Sequence, residues 1–101
     1  MTPVAARRAP VTVRTDGAAV VLELSDTLDD TVGRALVDAA TAAVATAPER
    51  LDIDLRKLQA WTPGGASALV RCREICADLA DGLHYRTGRG PGRDALLSAY
   101  T

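Results

Sequence analysis

Cys72 and Cys76 stand four residues apart, a spacing that brings two sulfurs to one face of a helix. A zinc site built on them would need further ligands, and His84 is the chain's one histidine. The pair is therefore read as small apolar residues of a core. Asp26, Asp29 and Asp30 could offer oxygens to a cation, but around a helix start they more simply cap it and favour its dipole. Ser67 would need a base within hydrogen-bond reach to act as a nucleophile. It falls one turn inside a predicted helix, His84 falls in a predicted strand, and no spacing pairs them. The run Gly88-Arg89-Gly90-Pro91-Gly92-Arg93, with Arg86 nearby, precedes a helix and could hold a phosphate or nucleotide. It lacks the GxxxxGK[ST] pattern, so a solvated loop is the first reading and anion sensing the alternative. With no HExxH, CxxC or dinucleotide fingerprint either, neither an enzyme nor a cofactor is expected.

The segment Trp61-Thr62-Pro63-Gly64-Gly65 carries a different kind of signal. A helix begins with unsatisfied N–H groups, for which Thr is a good N-cap, and Pro is favoured at the first helical position. The residue before Pro avoids helical dihedrals, which again suits Thr62 as the cap. Gly64 and Gly65 let another backbone or another chain come close to the helix head. The segment reads as a well-started helix whose exposed head could bind a partner. Trp61 is expected to be packed inward, with a partner-facing anchor as the alternative.

Around that head the chain alternates between strand and helix patterns. Residues 1–10 are a Pro/Ala/Arg stretch without period, expected to be a flexible tail, and residues 11–101 are expected to form a single domain. Val11 to Arg14 and Ala18 to Leu24 flank Asp16-Gly17 and predict an antiparallel hairpin. Ser25 to Asp30 reads as a polar loop, with Thr27 and Asp30 as a loose capping box. Val32, Leu36, Ala40, Ala43 and Val44 recur at helical spacing until Pro48 ends the pattern. Leu51, Ile53 and Leu55 alternate with Asp52 and Asp54 as a short strand, and Arg56 to Trp61 reads as a loop. Leu69, Cys72, Cys76 and Leu79 mark the stripe of the second helix. Leu83 to Thr87 then predicts a strand and Arg93 to Tyr100 a closing helix. The order β-β-α-β-α-β-α implies an α/β fold: a mixed sheet with helices packed on it and right-handed crossovers. The first helix is mostly alanine, so it can lie close to the sheet while burying little area per residue.

Composition narrows the function. At 101 residues there is room for one core, and 48% hydrophobic with 25% charged residues is an ordinary globular mix. Twelve basic and thirteen acidic residues leave a net charge of −1, so no broad field attracts a nucleic-acid backbone or an anionic membrane. Trp61, Tyr85 and Tyr100 are the only aromatics, too few for a stacking platform. The longest apolar run, Ala18 to Leu22, neither spans a bilayer nor reads as a signal segment. Two cysteines do not make a secreted disulfide scaffold, which points to a reduced, cytoplasmic setting.

The residues resemble the STAS domain of bacterial anti-sigma factor antagonists. That family runs strand, a Gly-Glu-Leu-Asp-like turn, helix, a strand ending Asp-Leu-Ser, a hydrophobic loop, then Asp-Ser-Ser/Ala-Gly at the next helix head. Here the turn reads Asp26-Thr27-Leu28-Asp29, with Asp26 where Gly is usual, and the strand end keeps Asp54-Leu55. Gly65 falls on the family's glycine, Thr62 on its Asp, and Pro63 on the serine that a partner kinase phosphorylates. Proline has no hydroxyl, so the family's phosphate switch is not expected at this position. The resemblance covers about Val11 to Tyr100 and implies a STAS-like, non-enzymatic domain of transcription regulation. Its partner would be an anti-sigma factor with a serine-kinase-like fold, or another regulatory protein, with a homodimer as an open alternative. The binding surface would comprise Asp26, Thr27, Asp29, Trp61, Thr62, Pro63, Gly64, Gly65 and Ser67. The alternative within the resemblance is a diverged subunit of a transporter or stressosome-like assembly. A gene neighbour of either kind would separate the two.

Overall fold

The structure, a computed structural model, describes residues 10–100. The expected tail over residues 1–9 lies outside the described residues. Seven elements follow in the expected order: β1 (Val11–Asp16), β2 (Ala19–Leu28), α1 (Asp30–Val44), β3 (Arg50–Trp61), α2 (Pro63–Ile75), β4 (Leu83–Arg86) and α3 (Pro91–Ala99). The four strands form one sheet in the order β1-β2-β3-β4. β1 is antiparallel to β2, whereas β2, β3 and β4 run parallel, so the sheet is mixed. The hairpin loop is two residues long, and its first, Gly17, takes φ +61°, a conformation that glycine adopts without cost.

The period-two pattern sorts the strands into two faces. Val20, Leu22 and Leu24 on β2 and Leu51, Ile53 and Leu55 on β3 point to one side, where Leu36, Ala40, Leu69, Cys72 and Ala95 of the three helices join them in one core. All three helices thus cover a single face. The other face carries Asp52 and Asp54, each at most 2% exposed although no helix lies over them. Arginines cover them instead. Arg56 donates to Asp54 from its backbone N–H at 3.1 Å and from its guanidinium at 3.0 and 2.7 Å, with Arg14 at 3.7 Å. Asp52 accepts from Arg50 Nε at 2.8 Å and from Arg86 Nε at 2.9 Å, and Arg86 also reaches Asp16 at 2.9 Å.

Several boundaries differ from the sequence expectation. The polar segment after Leu24 is not a loop: β2 continues to Leu28 and β3 to Trp61, and the two extensions pair with each other. Register shifts between Glu23 and Ser25 and between Asp26 and Thr27 break the alternation, which hides the strand from a period-two reading. The cap of α1 is Asp29, not Thr27. Asp29 Oδ1 accepts from Val32 N at 2.9 Å. α2 stops at Ile75 with Cys76 as its C-cap, so Leu79 lies beyond the helix. α3 begins at Pro91, two residues before the expected start.

Candidate functional site

α1 follows β2 and α2 follows β3, so both helix heads emerge at the C-terminal ends of two paired parallel strands. Leu28, fully buried, ends β2, and its carbonyl accepts from Thr62 N at 2.9 Å, tying the two exits together. Thr62 has extended dihedrals, and its Oγ1 accepts from Gly65 N at 3.0 Å. It is the N-cap of α2, with Pro63 at the first helical position, as expected. Gly65 is buried against β2: any Cβ there would collide with the Leu28 carbonyl, so only glycine lets α2 approach this closely. Gly64 is exposed and faces the Asp30 carboxylate.

Most of the nine candidate residues gather at this junction. Asp29, Thr62 and Gly64 line one shallow recess together with Asp30 and Thr31. Pro63 is exposed beside them, and Trp61 is half-buried against the core at the end of β3. Asp26 and Thr27 are exposed on the end of β2, opposite Leu58 and Ala60 of β3. Asp26 has φ +64°, a left-handed conformation at the position where the family resemblance puts glycine. Ser67, one turn into α2, is exposed, and its hydroxyl donates to the Gly64 carbonyl at 2.7 Å.

Sequence reasoning ran the surface along the loop as far as Asp30 but did not place Gly33, Arg34, Ala68 and Arg71 at the site. With Asp30, Gly64 and Ser67 they line a groove of about 240 Å³ between α1 and α2, continuous with the helix heads through Asp30 and Gly64. The available signal was the i,i+4 spacing of Asp30 with Arg34 and of Ser67 with Arg71, which puts each pair on one helix face.

The other constellations have quieter explanations. Burial, and secondarily Cys76, pushes the Cys72 thiol up to about 12, and burial raises Cys76 as well, so both keep their protons. No group of three potential metal ligands occurs among the described residues. His84 is exposed, its Nε2 3.0 Å from the Asp81 carbonyl, while Ser67 bonds elsewhere. Arg86 is occupied by Asp52 and Asp16, while Arg89 and Arg93 in the following loop form no ion pair among the described residues. No helix among the described residues is long and apolar enough to cross a membrane.

A four-stranded mixed sheet with its helices on one face, in this element order, is the STAS fold of anti-sigma factor antagonists. No protein-family model and no curated protein sequence matches the chain. Among solved structures it is similar to an anti-sigma factor antagonist from Mycobacterium paratuberculosis, with a TM-score of 0.73 and 26% identity over 89% of this chain and 77% of that one. It is also similar to the anti-sigma factor antagonist SpoIIAA in its unphosphorylated form, with a TM-score of 0.64 and 18% identity over 86% of this chain and 81% of that one. A third likeness, to Mglu, has a TM-score of 0.63 and 20% identity; it covers 80% of this chain but 20% of that one.

Proposed function

We propose that the protein is a cytoplasmic, non-enzymatic docking domain of the anti-sigma factor antagonist type, binding an anti-sigma factor of serine-kinase-like fold through the head of α2 and the β2–α1 junction. The observation that carries the reading is the likeness to the mycobacterial antagonist across 89% of the chain. The local chemistry agrees with it. The helix head is open, it is built from small residues, and its capping groups are in place before any partner arrives.

The same head argues against the family's phosphate switch. Pro63 offers no acceptor, and the Thr62 oxygen is already a hydrogen-bond acceptor for Gly65 N. Docking at this surface is therefore set by the amounts of the two proteins rather than by phosphate at position 63.

Titration calorimetry against the kinase-like anti-sigma factors of the same genome tests the reading. Pro63→Glu puts a bulky side chain on the exposed head at a position where a carboxylate suits the helix dipole, so folding holds while binding weakens about tenfold or more. Asp78→Lys, exposed beyond the other end of α2, leaves binding intact. Arg50 would be a poor control because it pairs with Asp52 and Asp81. Incubation with the bound kinase and ATP should leave residues 62–67 unmodified by mass spectrometry. High phosphate occupancy at Thr62 or Ser67, or full binding by Pro63→Glu, overturns the reading.

A further inference from the structure

Two groups of cations among the described residues stand in contrast. On the open sheet face Arg14, Arg50, Arg56, Lys57 and Arg86 each lie within 3.7 Å of a carboxylate. Arg34 and Arg71 have no such partner among the described residues, are both exposed, and line the same groove between α1 and α2. Arg34 stands one turn beyond Asp30 on α1, and Arg71 one turn beyond Ser67 on α2. The groove runs over Gly33 and Ala68, whose small size brings the helices so close that a Cβ on Gly33 would sit 3.2 Å from that of Ala68.

We propose that this groove receives an acidic segment of the protein partner, whose carboxylates pair with Arg34 and Arg71. The proposal rests on the reading of the α2 head as a protein-docking surface and names the chemistry of what docks. Guanidinium groups are planar donors matched to carboxylates, and two on opposite walls select a segment lying along the groove. Ser67 adds a hydroxyl oxygen free to accept, since its proton is directed to Gly64. The polarity of the groove fixes the direction. Asp29 and Asp30 at the helix-head end repel acid, so the segment's carboxylates lie toward Arg71 and neutral or basic residues lie over the heads. The same aspartates disfavour a nucleic-acid strand, whose unbroken run of phosphates would have to pass them.

The probe is a short glutamate-rich peptide, titrated into the full-length protein by amide NMR at low salt, with a lysine-rich peptide and inorganic phosphate as controls. Saturable shifts are expected at Gly33, Arg34, Ser67, Ala68 and Arg71, lost at high salt and in Arg34→Glu/Arg71→Glu. Shifts centred instead on Arg89 and Arg93, or equal shifts with phosphate alone, overturn the proposal. Against the anti-sigma factor that binds the wild type, the double charge reversal should weaken affinity by about tenfold or more, and Arg89→Glu should not. Both arginines are exposed and form no ion pair among the described residues, so the reversal leaves the melting temperature in place. If Pro63→Glu abolishes binding while the double reversal preserves it, the head reading stands and the groove proposal fails. If no kinase-like protein binds but the acidic peptide still maps to the groove, the groove stands and the identity of the partner fails.

Discussion

The open face of the sheet and the face formed by α1 and α2 use the same residue types to opposite ends. On the sheet, Asp52 and Asp54 are buried without a covering helix because arginines from β1, β3 and β4 fold down onto them. Neighbouring strands lie about 4.8 Å apart, so cross-strand and diagonal side chains meet readily and opposite charges find one another. Between α1 and α2 the charges flank a groove, and Asp30, Arg34 and Arg71 form no ion pair among the described residues. Asp29 and Thr62 are used locally, as caps. A buried carboxylate must be satisfied internally or it costs several kcal/mol, whereas an exposed one can wait for a partner. One charged face therefore supports folding, and the other remains available for recognition.

That contrast predicts where substitutions hurt. The largest effect belongs to Gly65→Ala, whose methyl group would meet the Leu28 carbonyl, a backbone atom that cannot turn aside. The expected loss is about 3 kcal/mol in urea unfolding. Gly64→Ala meets only the end of the Asp30 side chain, which can swing away, and it gains helix propensity, so its change stays within about 0.5 kcal/mol. Equal losses at the two positions would mean that α2 does not rest on the end of β2 as described.

Next in size is Asp54→Asn, which removes the charge that Arg56 and Arg14 surround and should cost about 2 kcal/mol. Hydrogen bonding from the Arg56 side chain, the largest cause, holds the Asp54 carboxyl below its ordinary value. A carboxylate with a depressed folded pKa contributes fully above its unfolded value of about 3.9, and the contribution is lost as pH falls through the folded pKa. The wild type should therefore lose stability in acid below about pH 4 more steeply than Asp54→Asn. Parallel acid limbs for the two proteins would show that the sheet-face ion pairs do not support the fold. On the helix face, Arg34 and Arg71 should leave this profile unchanged when substituted.

The two faces were also unequally legible in the sequence. Alternation of Leu51, Ile53 and Leu55 with Asp52 and Asp54 marked β3, and the Thr-Pro-Gly-Gly run marked the head of α2 with its cap. The extensions of β2 and β3 were not legible, because extra residues on β3 opposite Ser25 to Thr27 shift the register that alternation depends on. The sequence leaves Arg86 beside a solvated loop, with anion sensing as the alternative, since its partners Asp52 and Asp16 lie 34 and 70 residues away. Contacts at that separation follow from strand order, which spacing alone does not reveal. The groove escaped for a related reason: Arg34 and Arg71 sit on different helices, and only the close crossing at Gly33 and Ala68 brings them to one site.

The smallest expected effect lies at the seam between the two faces, at Asp26. Its φ of +64° is one that most side chains avoid, and Asp tolerates it better than others because its short polar chain crowds the backbone less. Asp26 lies between two register shifts, at each of which β3 carries the extra residue, while still pairing with Leu58. Asp26→Gly relieves the side-chain strain but lets the unfolded chain roam more freely, so the two terms nearly cancel, leaving a change within about 0.5 kcal/mol. Asp26→Val cannot relax in this way, because a β-branched side chain is a poor occupant of the left-handed region, and it should cost about 1–2 kcal/mol. The residue is exposed, so neither substitution disturbs packing, and the difference between them isolates the backbone. Urea unfolding of both variants measures it. If Asp26→Val is as stable as Asp26→Gly, the backbone at Asp26 is not held left-handed in solution.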